Sequence, residues 1–160
     1  MWLKPKAQLG SVLEITPNWL QQRGLRGVMV DLDNTLVPYR ARGEPRPEIA
    51  QWLQQLHQEG IAVFLVSNAR RRRLRYWAGR LALPGIGMAG KPWFGFRRAL
   101  RRLGLRANEV AAVGDQLFTD ILGGNLVGAY TVLVPPLAPQ EMGYTRLVRQ
   151  LERWVLHTRP

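Results

Sequence analysis

Two aspartates two residues apart, Asp31 and Asp33, close the run Gly27-Val28-Met29-Val30-Asp31-Leu32-Asp33. In an extended strand alternate side chains leave the same face, so both carboxylates can address one substrate. Carboxylates so placed can share a proton, hold a cation, or divide nucleophile and acid work between them. An Asp-x-Asp pair alone is a weak signal, because acidic pairs also cap turns. Three further groups lie downstream. Ser67-Asn68 follows the apolar run Ile61–Val66 and offers a hydroxyl and backbone N–H groups where a helix begins, a cradle for an anion. The same residues would serve equally as a plain helix cap. Lys91, in Gly90-Lys91-Pro92, supplies a point charge that can neutralise a phosphoryl oxygen or steady a carboxylate. Gly114-Asp115-Gln116 is followed by Asp120, and these two carboxylates can turn toward one hard cation.

The elements that must position these groups alternate. The spacing predicts strands over 27–33, 61–67, 86–89, 109–114 and 129–134. Helices are predicted over 47–60, 70–83, 93–103 and 118–127, with a closing helix over about 140–157. Pro47 near its start, Gly60 at its end and Ile49, Trp52, Leu53 and Leu56 at helical spacing mark the first helix. Leu74, Trp77, Ala78 and Leu81 make the stripe of the second, which Pro84-Gly85 stops. Near-continuous apolar strands separated by helices imply a parallel sheet covered on both faces, and such sheets build their sites at the strands' carboxyl ends. All four candidate groups sit there. The length of 160 residues suits one domain, with the motif-bearing core over about 27–134 and the segments 1–26 and 140–157 on or beside it.

Charge is concentrated rather than spread. The chain carries 23 Lys and Arg against 11 Asp and Glu, a formal net charge of +12. Twelve of those basic residues, Arg70 to Arg73 among them, fall between Glu59 and Glu109, a window without a single acid. The remainder of the chain balances. An unpaired basic block of this kind favours a polyanion, an anionic membrane surface or a phosphorylated substrate over a merely solubilising face. With 46% hydrophobic residues global disorder is excluded, and the absence of cysteine removes disulfides, thiolate nucleophiles and Cys-based zinc sites. The longest wholly apolar run, Ile61–Val66, is far short of the roughly 20 residues that span a bilayer. No signal peptide is legible, so the expected location is cytoplasmic, with peripheral contact at a membrane.

In order along the chain, Asp-x-Asp-x-Thr, a strand-terminal Ser, Gly-Lys-Pro and Gly-Asp-x-x-x-x-Asp resemble the motifs of the haloacid dehalogenase-like (HAD) phosphatases. Val30-Asp31-Leu32-Asp33-Asn34-Thr35-Leu36-Val37-Pro38 and Gly114-Asp115-Gln116-Leu117-Phe118-Thr119-Asp120 are similar, more narrowly, to subfamily IIIA. Within it the YqeG family, similar to mitochondrial phosphatidylglycerophosphate phosphatases, matches best. The resemblance implies a three-layer Rossmann-like fold in which Asp31 is the nucleophile and Asp33 the general acid and base. It also implies Mg²⁺ held by Asp31, the Asp33 carbonyl, Asp115 and Asp120, with Ser67, Asn68 and Lys91 on the phosphoryl group. An Asp at position 33 favours hydrolysis over phosphoryl retention or dehalogenation in this superfamily.

The intervals from Asp31 to Ser67 and from Ser67 to Lys91 each hold little more than one helix, so no cap domain fits and the site is expected to be open. An open site suits a large or membrane-borne phosphorylated substrate, or an oligomer whose neighbour serves as lid; the oligomeric state is open. The first expectation is a phosphatase acting on phosphatidylglycerophosphate at an anionic membrane. The second is a phosphatase on or tethered to nucleic acid, with Tyr76 and Trp77 as the available stacking aromatics. The third is a non-catalytic RNA- or ribosome-binding protein on the same scaffold. Trp2, Leu3, Leu9, Val12, Leu13, Ile15, Trp19 and Leu20 give the N-terminal segment enough apolar surface either to lie at an interface or to cover one end of the sheet.

Overall fold

A computed structural model describes residues 1–88, 93–137, 150, 152–153 and 155–157. Six parallel strands form one sheet: β1 (Ala7–Gln8), β2 (Gly27–Val30), β3 (Ala62–Val66), β4 (Gly85–Ile86), β5 (Val110–Gly114) and β6 (Tyr130–Leu133), in the order β1-β6-β5-β2-β3-β4. Helices α1 (Pro17–Gln21), α2 (Pro47–Gln58), α3 (Arg71–Leu81), α4 (Phe94–Leu103) and α5 (Leu122–Val127) connect them. The order records one reversal. From β2 the chain steps outward to β3 and β4, then returns to β5 on the other flank of β2. That switch point opens a crevice between the carboxyl ends of β2 and β5, which pair from Gly27↔Val110 to Val30↔Val113.

Two apolar layers hold the sheet. On one face Val28, Val30, Leu65 and Val113 pack with Trp52, Leu56, Leu74 and Trp77 of α2 and α3. On the other Met29, Phe64, Val66 and Ala112 meet Phe96 and Ala99 of α4. The alternation predicted for a strand covered on both sides is thus realised residue by residue along β2. The connection from β2 to β3 contains α2, and that from β3 to β4 contains α3, so the site edge carries no cap domain.

The predicted elements are present with shorter bounds. β2 stops at Val30 rather than Asp33, because the Leu32 carbonyl accepts bonds from the Thr35, Leu36 and Val37 N–H groups and turns the chain. β4 is confined to Gly85–Ile86 within the described residues. The helix predicted over 118–127 begins as a π-type turn, Leu117–Ile121, before α5. The N-terminal segment docks on the fold. β1 pairs parallel with β6, and Val12, Ile15 and Leu20 are fully buried in the first apolar layer. Only Met1, Trp2 and Leu13 of its large apolar residues stay exposed. The predicted closing helix falls largely outside the described residues, though residues 150, 152–153 and 155–157 are helical.

Candidate active site

Asp31 extends β2 by one more rung, its N–H bonded to the Val113 carbonyl of β5. Asp115 stands one residue beyond β5, and Asp120 lies in the π-type turn that follows. These three bring carboxylate oxygens within 4.8 Å of one another. Asp115 and Asp120 are 2% and 1% exposed. Three carboxylates this close in a buried setting repel unless a cation or protons neutralise them, and an all-oxygen donor set suits a hard divalent ion. The residues present therefore fit such an ion.

Backbone and neighbours fix the cluster. The Gln116 N–H donates to Asp120 Oδ2 at 3.2 Å, and the Thr35 hydroxyl donates to Asp115 Oδ1 at 3.5 Å. Gly114 belongs to the motif read from the sequence, but the reason for a glycine there appears only in the structure. A Cβ on it would lie 2.1 Å from Asp120 Cγ and 2.4 Å from Asp120 Cβ, so only glycine lets the Asp120 side chain lie across the end of β5. Glu152 is the residue that sequence reasoning missed. It is buried, and its Oε1 accepts the Leu117 N–H at 2.8 Å, tying a C-terminal residue to the first turn after Asp115. A contact across 35 residues leaves no spacing signal in the chain.

Asp33 goes elsewhere. Its carboxylate is gripped by Arg73 of α3, with Nη2 donating to Oδ1 at 2.6 Å and Nε donating at 3.1 and 3.3 Å to the two oxygens. Both side chains are about one-fifth exposed, 23% and 20%. The fork also reaches the Ala41 carbonyl through Nη1, at 2.9 Å. Leu32 between the two aspartates is fully buried. The strand ends at Val30 and the chain turns at Leu32, so strand alternation does not set the directions of the two aspartates. Asp31 joins the carboxylate cluster while Asp33 faces an arginine. Asn34 takes the left-handed conformation (φ 61°) that the tight tip demands, tolerable for Asn, and its Oδ1 accepts the Tyr39 N–H.

Ser67 is buried at the end of β3, and its Oγ accepts the Ala69 N–H at 3.0 Å; Asn68 is exposed beside it. The helix itself starts later than the spacing implies. Arg70 is the N-cap of α3 and makes no side-chain cap bond, so Ser67 serves a turn before the helix and not the helix end. Lys91 lies outside the described residues. Of the two aromatics considered for base stacking, Trp77 is buried at 1% exposure, while the half-buried Tyr76 packs edge-on against it with Arg80 over its ring at 3.7 Å.

A parallel sheet whose switch point gathers two strand-end aspartates and a third from the next turn defines an α/β protein with a carboxylate-centred site. The chain belongs to the haloacid dehalogenase-like hydrolases, whose family model matches residues 14–128. It is 39% identical to the Bacillus subtilis protein named "Probable phosphatase YqeG", over 95% of this chain and 88% of that one. It is 32% identical to phosphatidylglycerophosphate phosphatase 1, chloroplastic/mitochondrial, of Arabidopsis thaliana, over 85% of this chain but only 43% of that longer protein. Among solved structures, the cobalt-bound deoxy-D-mannose-octulosonate 8-phosphate phosphatase of Haemophilus influenzae shares the fold. Its TM-score is 0.57 at 13% identity, covering 84% of this chain and 88% of that one. The protein is a HAD-superfamily phosphatase.

Proposed function

We propose that this protein is a Mg²⁺-dependent phosphomonoester hydrolase working through an aspartyl-phosphate on Asp31, with phosphatidylglycerophosphate at an anionic membrane surface as substrate. The observation that carries the reading is the convergence of Asp31, Asp115 and Asp120 beside a separately held Asp33. An Asp31 oxygen attacks phosphorus and the bond to the leaving oxygen breaks, while Asp33 gives that oxygen its proton. Water then attacks the phosphoryl group, Asp33 takes the water's proton, and phosphate departs with the Asp31 carboxylate restored. Asp31, Asp115, Asp120 and the Asp33 carbonyl would hold Mg²⁺, which offsets repulsion between an anionic nucleophile and a phosphoryl group. Ser67, Asn68 and Lys91 would bind the phosphoryl oxygens.

Two supports favour a membrane-borne substrate. The relatives named as phosphatidylglycerophosphate phosphatases match 85% of this chain at 32% and 31% identity, the chain spanning 43% and 55% of their lengths. On the same edge as the site, Met88, Trp93 and Phe94 are exposed at 63%, 42% and 62%, next to the exposed Arg97, Arg98 and Arg101 of α4. Aromatic and apolar tips beside arginines suit a lipid interface, where each basic residue near an anionic surface contributes about 1 kcal/mol. Among the described residues no helix is long and apolar enough to cross a membrane.

The test is Mg²⁺-dependent phosphate release across phosphatidylglycerophosphate in vesicles, nucleotides, 5′-phosphorylated oligonucleotides and sugar phosphates, beside co-sedimentation with anionic and neutral vesicles. Preference for the lipid and binding to anionic vesicles alone are expected. Equal rates on soluble sugar phosphates would sink the lipid substrate.

A further inference from the structure

Arg73, which holds Asp33, also lines a second feature. A cavity of about 450 Å³ lies against α3, lined by Arg42, Arg70, Arg72, Arg73 and Tyr76. Four arginines line it, and among the described residues no acid does. Asp33 neutralises Arg73. No carboxylate among the described residues pairs with Arg42, Arg70 or Arg72. The loop that delivers Arg42 is tied down on both sides of it. Arg73 Nη1 donates to the Ala41 carbonyl at 2.9 Å. The Tyr76 hydroxyl accepts the Gly43 N–H at 2.9 Å and donates to the Gly43 carbonyl at 3.2 Å. Arg42 is thus held opposite the first turn of α3, whose own Arg70 and Arg72 project from the helix end that already favours an anion. Like charges gathered on one surface repel, and an anion among them relieves that repulsion.

We infer that this basin binds a second, non-reacting phosphate of the substrate, a phosphodiester carried on the leaving group. The inference rests on the phosphatase reading of the site. Its geometric warrant is that Arg73 lines the basin and holds Asp33, the group that hands a proton to the leaving oxygen, while none of Asp31, Asp115 and Asp120 lines it. A diester anion here lies on the side of the molecule that departs. Arginine is the residue for such a task, since its planar fork bonds two phosphate oxygens at once. The phosphatidylglycerophosphate proposed above carries such a diester, and a simple sugar phosphate does not.

Two measurements test this on the full chain. The first compares kcat/KM on glycerol 3-phosphate, glycerophosphoglycerophosphate and a 5′-phosphorylated dinucleotide, for the wild type, Arg42→Ala and the double variant Arg70→Ala/Arg72→Ala. The wild type is expected to prefer the glycerol diester over glycerol 3-phosphate. That preference should fall roughly tenfold per arginine removed, chiefly through KM, with partial recovery in Arg70→Lys/Arg72→Lys. A preference that survives in the alanine variants overturns the proposal, as does an arginine-dependent preference for the dinucleotide, which would assign the basin to nucleic acid. The second is calorimetric binding of glycerophosphoglycerol, a diester with no monoester to hydrolyse. Binding to the wild type that is lost in the double alanine variant supports the basin whatever the enzyme hydrolyses; no binding overturns it. Phosphate release from none of the monoesters would instead defeat the phosphatase mechanism and leave the diester measurement standing.

Discussion

The carboxylate cluster and the arginine basin flank the same strand tip but are built in opposite ways. Asp115 and Asp120 are buried, and their positions follow from backbone: β5 ends at Gly114, and the π-type turn brings Asp120 back over it. The basin's Arg42, Arg70 and Arg72 are exposed, long and rotatable, and only the loop beneath Arg42 is pinned. Chemistry at phosphorus needs groups fixed before the substrate arrives, because reorganisation at the moment of reaction raises the barrier. Recognition of a distal phosphate tolerates adjustment, because charge attraction falls slowly with distance compared with the geometric demands of bond-making. Damage to the cluster should therefore strike every substrate alike, and damage to the basin should depend on what the substrate carries.

The largest effect is expected from Asp31→Asn. It keeps the shape of the side chain and removes the nucleophile, so phosphate release should fall by roughly four orders of magnitude on all substrates alike. Circular dichroism and thermal melting should match the wild type. Turnover near the wild-type rate would take Asp31 out of the nucleophile's role and dissolve the contrast between the two regions.

Next in size is Gly114→Ala. The added methyl has no room unless Asp120 moves at its Cβ, and a carboxylate side chain cannot give way there by rotating its far end. Metal affinity and activity should drop about 10–100-fold, as happens when a group supporting a metal ligand is lost. The strain should cost about 1–3 kcal/mol of stability, readable by denaturant melts. Raising Mg²⁺ should restore part of the rate. If activity is kept while stability falls, Asp120 is a structural acid and the cluster reduces to two members.

Arg73→Ala tests the bridge between the regions. Arg73 touches Asp33 and not the reacting phosphorus, so it acts by positioning. A general acid in place supplies about 10²–10⁴-fold, and losing its support should forfeit roughly tenfold of that. The loss should be greater on an alkyl phosphate than on p-nitrophenyl phosphate, whose leaving group needs no proton. Equal losses on both would mean that Arg73 acts on binding alone.

What could be read from the chain divides along the same line. The cluster was legible because Asp31 and Asp115 end apolar runs, with Asp120 five residues after Asp115, and a parallel sheet brings strand ends together whatever lies between. The α/β alternation and both helices flanking Ser67 were legible for the same local reason. The grip of Arg73 on Asp33 was not, since it spans 40 residues and any of the four arginines from Arg70 to Arg73 could have made it from sequence alone. Helical phase and the Ala41 carbonyl select Arg73. β1 escaped notice because two residues are too few to show a period, and its partners in β6, Val132 and Leu133, are far away in the chain. The burial of Trp77 was implicit in its place on the apolar stripe of α3, which already argued against a stacking role. Its Nε1 has no hydrogen-bond partner among the described residues, an expense borne by the packing of a large ring.

The smallest effect should come from the opposite end of β5, and it isolates stability from chemistry. Glu109 precedes the strand that ends at Gly114. Its carboxylate is held below its ordinary value of 4.5, first by the Arg106 backbone N–H, then by the Arg106 side chain and the charge of Arg26. A carboxyl whose folded value is depressed gives stability that is fully present above the unfolded value and is lost as pH falls through the folded one. The melting temperature of the wild type should therefore exceed that of Glu109→Gln at neutral pH, and the gap should close as pH falls below 4.5. At neutral pH the two proteins should release phosphate at the same rate. A Glu109→Gln variant with altered turnover would show that strain at the base of β5 reaches Asp115, making the strand a transmitter rather than a fixed post.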